Sequence, residues 1–90
     1  MNKEAILQKV QDVFCDVFED DGLVLSPQTS AEDIDGWDSL AHVSLMINVE
    51  KAFGVKFSSS QVASLQNVGE LVDLIAARMA AAGHGSRAAA

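Results

Sequence analysis

Between Leu40 and Phe53 the apolar residues occupy two sides of a helix at once. Laid out at about 100° per residue, Leu45, Met46, Val49 and Phe53 form one stripe. Leu40, Val43 and Ile47 form another, roughly 135° away by the same helical geometry. A helix with two apolar sides is a poor outer strut, because a strut shows water one polar face. It belongs in the middle of a bundle, with one stripe on the core. The second stripe lines a cavity, meets another neighbour, or lies exposed as a binding surface.

Two further stripes supply the neighbours. Ile6, Val10, Val13, Phe14, Val17 and Phe18 recur at i, i+4, i+7, i+8, i+11 and i+12, behind Asn2 as a helix cap. Val68, Leu71, Val72, Ile75 and Met79 do the same near the other end, behind Asn67 and Glu70 at capping-box spacing. Gly22, after Asp20 and Asp21, is the natural stop for the first helix. The middle helix is predicted from Asp38 or Ser39 to about Phe53, where Gly54 ends it. One of Ser58, Ser59 or Ser60 caps a brief third helix reaching Leu65. Val55-Lys56-Phe57 is a short extended link, and no stretch alternates with the period of a strand.

A long connection, from about Leu23 to Asp38, holds the turn formers Pro27, Thr29, Ser30 and Gly36. A loop of that length in a small domain is functional or packed by its own side chains. Leu23, Val24, Leu25, Ile34 and Trp37 are available to pin it, and a short helical turn is expected near Ser30 to Asp33. The fold class that follows is all-α: a small four-helix bundle with a long first loop and a short third helix. At 90 residues it is one domain with a modest core and no room for a large substrate pocket. The folded domain is expected over residues 1–81. Residues 82–90 lack a large apolar anchor and are expected to form a flexible tail.

The formal net charge is −7, and every charged residue from Asp12 to Asp38 is negative. Such a surface disfavours nucleic acid and anionic membranes and attracts partners with basic patches. No apolar run is long enough to span a membrane. Cys15, the only cysteine, excludes an intrachain disulfide and lies off the centre of its stripe as a spectator thiol. The start Met1-Asn2-Lys3-Glu4 lacks the apolar region of a signal peptide, so a cytoplasmic monomer is expected.

Catalysis fits poorly. His42 lies three residues after Ser39, but a nucleophilic serine also needs an oriented base and an oxyanion hole. His42 falls in the core stripe and reads as a partly buried structural residue bonded to the loop. The acidic loops fail as calcium sites. With Gly22 or Gly36 at the sixth position of an EF-hand loop, the first position falls on Val17 or Ala31 and the twelfth on Gln28 or His42. No zinc cluster and no phosphate-cradling glycine loop is present, so no catalytic residue and no metal site is expected.

Ser39 remains as an acceptor of covalent modification. A phosphodiester on the first residue of a helix meets unpaired N–H groups and the positive end of the helix dipole. Asp35 and Asp38 oppose that anion, so it must point outward.

Asp38-Ser39-Leu40 with Val43, followed by Glu50, Phe53, Gly54 and Val55, resembles the acyl carrier proteins. The resemblance runs from about Asn2 to Met79. It implies that Ser39, flanked by Asp38 and Leu40, carries a 4′-phosphopantetheine arm derived from coenzyme A. The arm's thiol, not a side chain of this protein, then holds an acyl group as a thioester. The protein is a shuttle and not an enzyme. Its implied partners are a phosphopantetheinyl transferase and the acyl-loading and acyl-processing enzymes. Leu40, Val43, Ile47 and Glu50 are the expected contacts for cargo and partners.

The chain departs from the pattern of primary fatty acid carriers along this helix. Ala41 and Ser44 stand where acidic docking residues are usual, Lys51 replaces another, and Glu50 alone keeps its sign. Ser58-Ser59-Ser60 replaces a proline and acidic residues before the third helix. A specialised fatty acid, lipid or polyketide pathway is therefore implied. Trp37 also leans toward specialised and peptidyl-type carriers. The alternatives are an aminoacyl or peptidyl carrier, or an unmodified interaction module in which Ser39 is only a cap.

Overall fold

Asn2 starts the first helix by accepting a hydrogen bond from the Ala5 N–H at 2.8 Å. In the computed structural model, residues 2–89 are described, with side chains through residue 80. The order is α1 (Lys3–Phe18), a single 3-10 turn (Ala31–Asp33), α2 (Ser39–Phe53), α3 (Ser59–Ser64) and α4 (Val68–Ala89). The described residues are helix, turn and loop, as the all-α reading requires. The tail expected over 82–90 lies outside the described side chains.

The three stripes meet in one core. α1 packs on both α2 and α4. Ile6, Val10 and Phe14 of α1, Leu45 and Val49 of α2, and Leu71 and Ile75 of α4 are all essentially inaccessible to solvent. Burying such side chains contributes about 1.5–3 kcal/mol each before the cost of ordering them. Phe53 and Met79 are half-buried at the edge. Cys15 is also half-buried and leans its thiol on the Leu23 carbonyl at 3.6 Å.

Two helix ends show how local chemistry decides boundaries. Gly54 takes φ +67° after α2, and the Val55 N–H reaches back to the Glu50 carbonyl at 3.1 Å. α1 ends earlier than Gly22 suggests. The left-handed residue is Glu19, with φ +53°, and the Asp20 N–H closes the turn on the Cys15 carbonyl at 3.0 Å. Gly22 lies in the next turn, where its N–H bonds the Asp20 carboxylate. The helix stops at Glu19 because the stripe ends at Phe18; the closure bonds then hold a non-glycine residue in a strained region. Glu19→Gly is expected to stabilise the protein by about 1 kcal/mol, raising the midpoint of thermal unfolding by about 5 °C.

The long connection is a structural part of the bundle. Leu25 and Ile34 are buried in the core, with Leu23 and Trp37 packed beside it. Val24, also expected to pin the loop, is 78% exposed, because its neighbours Leu23 and Leu25 turn inward instead. The Gln11 side chain accepts from the Leu25 N–H at 2.9 Å. The loop also caps α4. The Val68 and Gly69 N–H groups donate to the Thr29 and Pro27 carbonyls, each at 2.8 Å. Asn67 serves the next two, its side chain taking the Glu70 N–H at 2.8 Å and its carbonyl the Leu71 N–H at 3.3 Å. The N–H groups of Val68, Gly69 and Glu70, which have no partner inside the helix, are thus all matched, and the Leu71 bond is the first of the helix itself. Gly69 is required by this approach, since a Cβ there would stand 2.9 Å from the Pro27 oxygen. Only half of the expected capping box forms: Glu70 reaches past Asn67 to the Gln66 N–H at 3.2 Å.

Candidate functional site

Asp38 is the cap of α2. Its Oδ1 accepts from the Ala41 N–H at 2.9 Å, and its carbonyl accepts from the His42 N–H at the same distance. Ser39 is therefore the first helical residue and not the cap, which removes the structural duty that the unmodified-module reading gave it. Its side chain is exposed, as are those of Asp35 and Asp38. The first turn of a helix leaves N–H groups pointing past it toward whatever anion sits there. Asp38→Ala is expected to cost about 1 kcal/mol in urea unfolding, because it leaves the Ala41 N–H without its side-chain partner.

The segment entering the site is fixed from below. The Trp37 ring stands edge-on to Phe14, 5.1 Å between centroids and 89° between planes. Phe14 is itself inaccessible and touches Phe18 at 5.9 Å. On its far side the Trp37 indole N–H donates to His42 Nδ1 at 3.0 Å. His42 is thus half-buried and bonded to the end of the loop, the structural role read from its place in the stripe.

The second stripe of α2 is exposed, not buried: Leu40 by 81%, Val43 by 53% and Ile47 by 46%. It does not act as one surface. Val43 and Ile47, with the buried Met46, form one wall of a groove of about 780 Å³ between α2 and α3. Phe57, Val62 and Leu65 form the opposite wall, and Trp37, Ser39 and His42 lie at one end. Leu40 instead borders a separate shallow recess beside Val17 and Phe18. The structure therefore brings Ser39, Val43, Ile47 and Glu50 to one groove and leaves Leu40 outside it. Glu50 lines that groove while its Oε2 accepts from the Phe57 N–H at 2.8 Å. That bond fixes the α2–α3 link, so its carboxylate is engaged inside the protein.

The α3 wall has little signal in the sequence. Ser58 does cap it, in a capping box with Gln61: each side chain takes the other residue's N–H, at 3.1 and 2.9 Å. Val62 and Leu65, one helical turn apart, were the available hint that this helix has an apolar side.

The family model for the phosphopantetheine attachment site matches residues 8–75. The chain belongs to the acyl carrier protein family. The carrier is 34% identical over 76 residues to the acyl carrier protein of Rubrobacter xylanophilus, spanning 83% of this chain and 93% of that one. It is 34% identical over 82 residues to the acyl carrier protein of Thermosynechococcus vestitus, spanning 90% and 100%. Its fold matches the solution structure of holo acyl carrier protein from Geobacter metallireducens with a TM-score of 0.82 at 39% identity, over 88% of this chain and 91% of that one. The carrier's cofactor is covalently attached phosphopantetheine. The residues at the start of α2 suit such a group: an exposed hydroxyl, released from capping by Asp38, stands at the end of an apolar groove.

Proposed function

We propose that Ser39 is the attachment point of the arm and that the groove between α2 and α3 shelters its acyl cargo. The observation that carries this reading is the placement of an uncapping, exposed serine at one end of that groove. The bound arm supplies a thiol that holds the acyl group as a thioester. The chain's own residues do the rest. Ser39 Oγ forms the phosphodiester, the first turn of α2 faces the phosphate, and Asp35 and Asp38 turn it toward solvent. Val43, Met46 and Ile47 cover an acyl chain from one side and Phe57, Val62 and Leu65 from the other, removing apolar surface from water. Leu40, exposed beside Ser39 but outside the groove, contacts the enzymes that approach the arm.

Those enzymes include a phosphopantetheinyl transferase and acyl-loading and acyl-processing partners. The outer side of α2 offers them Leu40, Ser44 and Lys51, all exposed, and Glu50 is engaged with Phe57. Docking there depends on apolar contact more than on charge, which supports a dedicated carrier of a specialised fatty acid, lipid or polyketide pathway. The relatives named as acyl carrier proteins favour an acyl over an aminoacyl cargo. The carrier domain is residues 1–81, with 82–90 a tail, acting as a cytoplasmic monomer. Among the described residues no helix is long and apolar enough to cross a membrane.

Intact mass after incubation with coenzyme A and a broad-specificity phosphopantetheinyl transferase tests this. A gain of one phosphopantetheine is expected. A folded protein that gains nothing from an active transferase overturns the reading.

A further inference from the structure

α3 is weakly held. It buries no residue fully, and Val62 within it and Leu65 just beyond its end are only half-covered. Among the described residues one hydrogen bond joins α3 to another helix: His42 Nε2 to the Val62 carbonyl, at 3.1 Å. The same imidazole takes the Trp37 indole N–H on Nδ1 at 3.0 Å, with the two ring planes 22° apart. Donor and acceptor chemistry fixes the tautomer. An indole N–H only donates, so Nδ1 is bare; a carbonyl only accepts, so Nε2 carries the proton. The opposite tautomer would set donor against donor at Trp37 and acceptor against acceptor at Val62.

We infer that His42 is the latch of the groove. Held as the neutral Nε2–H tautomer by Trp37, it ties the segment before Ser39 and the groove wall on α3 to α2. Opening this bridge frees the Val62 side of the groove, while Glu50 still holds Phe57. His42 touches no reacting atom; it is a positioning residue, and Trp37 positions α3 through it. The role of the latch in admitting cargo rests on the carrier reading above, but the latch itself is a property of the unmodified chain.

Backbone hydrogen exchange on the unmodified protein tests it. Loss of one net hydrogen bond corresponds to roughly three- to tenfold faster exchange. His42→Leu is expected to produce that acceleration in the amides of α3, leaving those of α1 and α4 unchanged. Trp37→Phe keeps an aromatic ring against Phe14 but removes the indole N–H, and should also loosen α3. The double variant should be no looser there than His42→Leu alone, because both changes break one bridge. The imidazole nitrogen resonances of the parent should show a proton on Nε2 and none on Nδ1. Unchanged α3 amides, additive effects of the two substitutions, equal loosening of all helices, or the opposite tautomer would overturn the inference. None of these outcomes depends on whether Ser39 accepts an arm.

Discussion

Ser39→Ala protein is expected to melt within about 0.5 kcal/mol of the parent and to gain no mass from coenzyme A and an active transferase. The two halves of this result have separate causes. Stability is spared because the α2 cap is Asp38, whose carboxylate holds the Ala41 N–H, while the Ser39 side chain is exposed. Loading is lost because, on the proposed reading, Ser39 Oγ is the oxygen that forms the phosphodiester. Were Ser39 the cap, the same substitution would cost about 1 kcal/mol. Chemical denaturation and intact mass on one sample therefore distinguish a lost acceptor from a damaged helix. Retained loading in the alanine variant would assign the arm to another residue.

Phe14→Ala is expected to cost about 3–5 kcal/mol, out of the roughly 5–15 kcal/mol that holds a domain together. In a chain of this length that lowers the thermal midpoint by on the order of 20 °C. Phe14 is inaccessible, and it supports Trp37 edge-on and Phe18 in a tilted pair. The cavity therefore opens directly beneath the segment that presents Ser39. The effect should reach function before the protein unfolds: at a temperature where the variant is still folded, its rate of modification by the transferase should fall. Calorimetry and initial rates of mass gain read the two effects. A Phe14→Leu variant, which refills much of the volume, should recover most of the stability but not the aromatic contact with Trp37.

Helix starts were legible in the sequence because caps are local. Asn2, Ser58 and Asn67 each bind an N–H three residues ahead, and their spacing to the apolar stripes reveals them. Helix ends were less so. Gly22 attracts the boundary, yet Glu19 makes the turn, because backbone closure onto Cys15 outweighs the strain of a left-handed glutamate. In the loop, three consecutive apolar residues gave no period, so the outward turn of Val24 depended on what Leu23 and Leu25 found in the core. Ser39 stood out by its place in the chain. The fate of the second α2 stripe did not, since the helical period separates Leu40, Val43 and Ile47 from the core but cannot say what faces them. That depends on where α3 lies, and the His42–Val62 bridge and the Glu50 bond to the link at Phe57 that help to place it leave no mark on the helical period.

The Pro27 and Thr29 carbonyls that cap α4 make two distant stretches a matched pair. A chimera with one crossover between Ser30 and Asn67 divides that pair between two parents. It keeps one parent's loop and takes the other's final helix. Any donor with a side chain at the position of Gly69 would drive a carbon into the Pro27 oxygen, and the hybrid would have to rebuild the start of its last helix. Exchanges that replace only the α2–α3 segment, between Gly36 and Gln66, leave the pair intact. The recombinable unit of this carrier is therefore the groove with its serine, set into a frame whose two halves must come from the same parent.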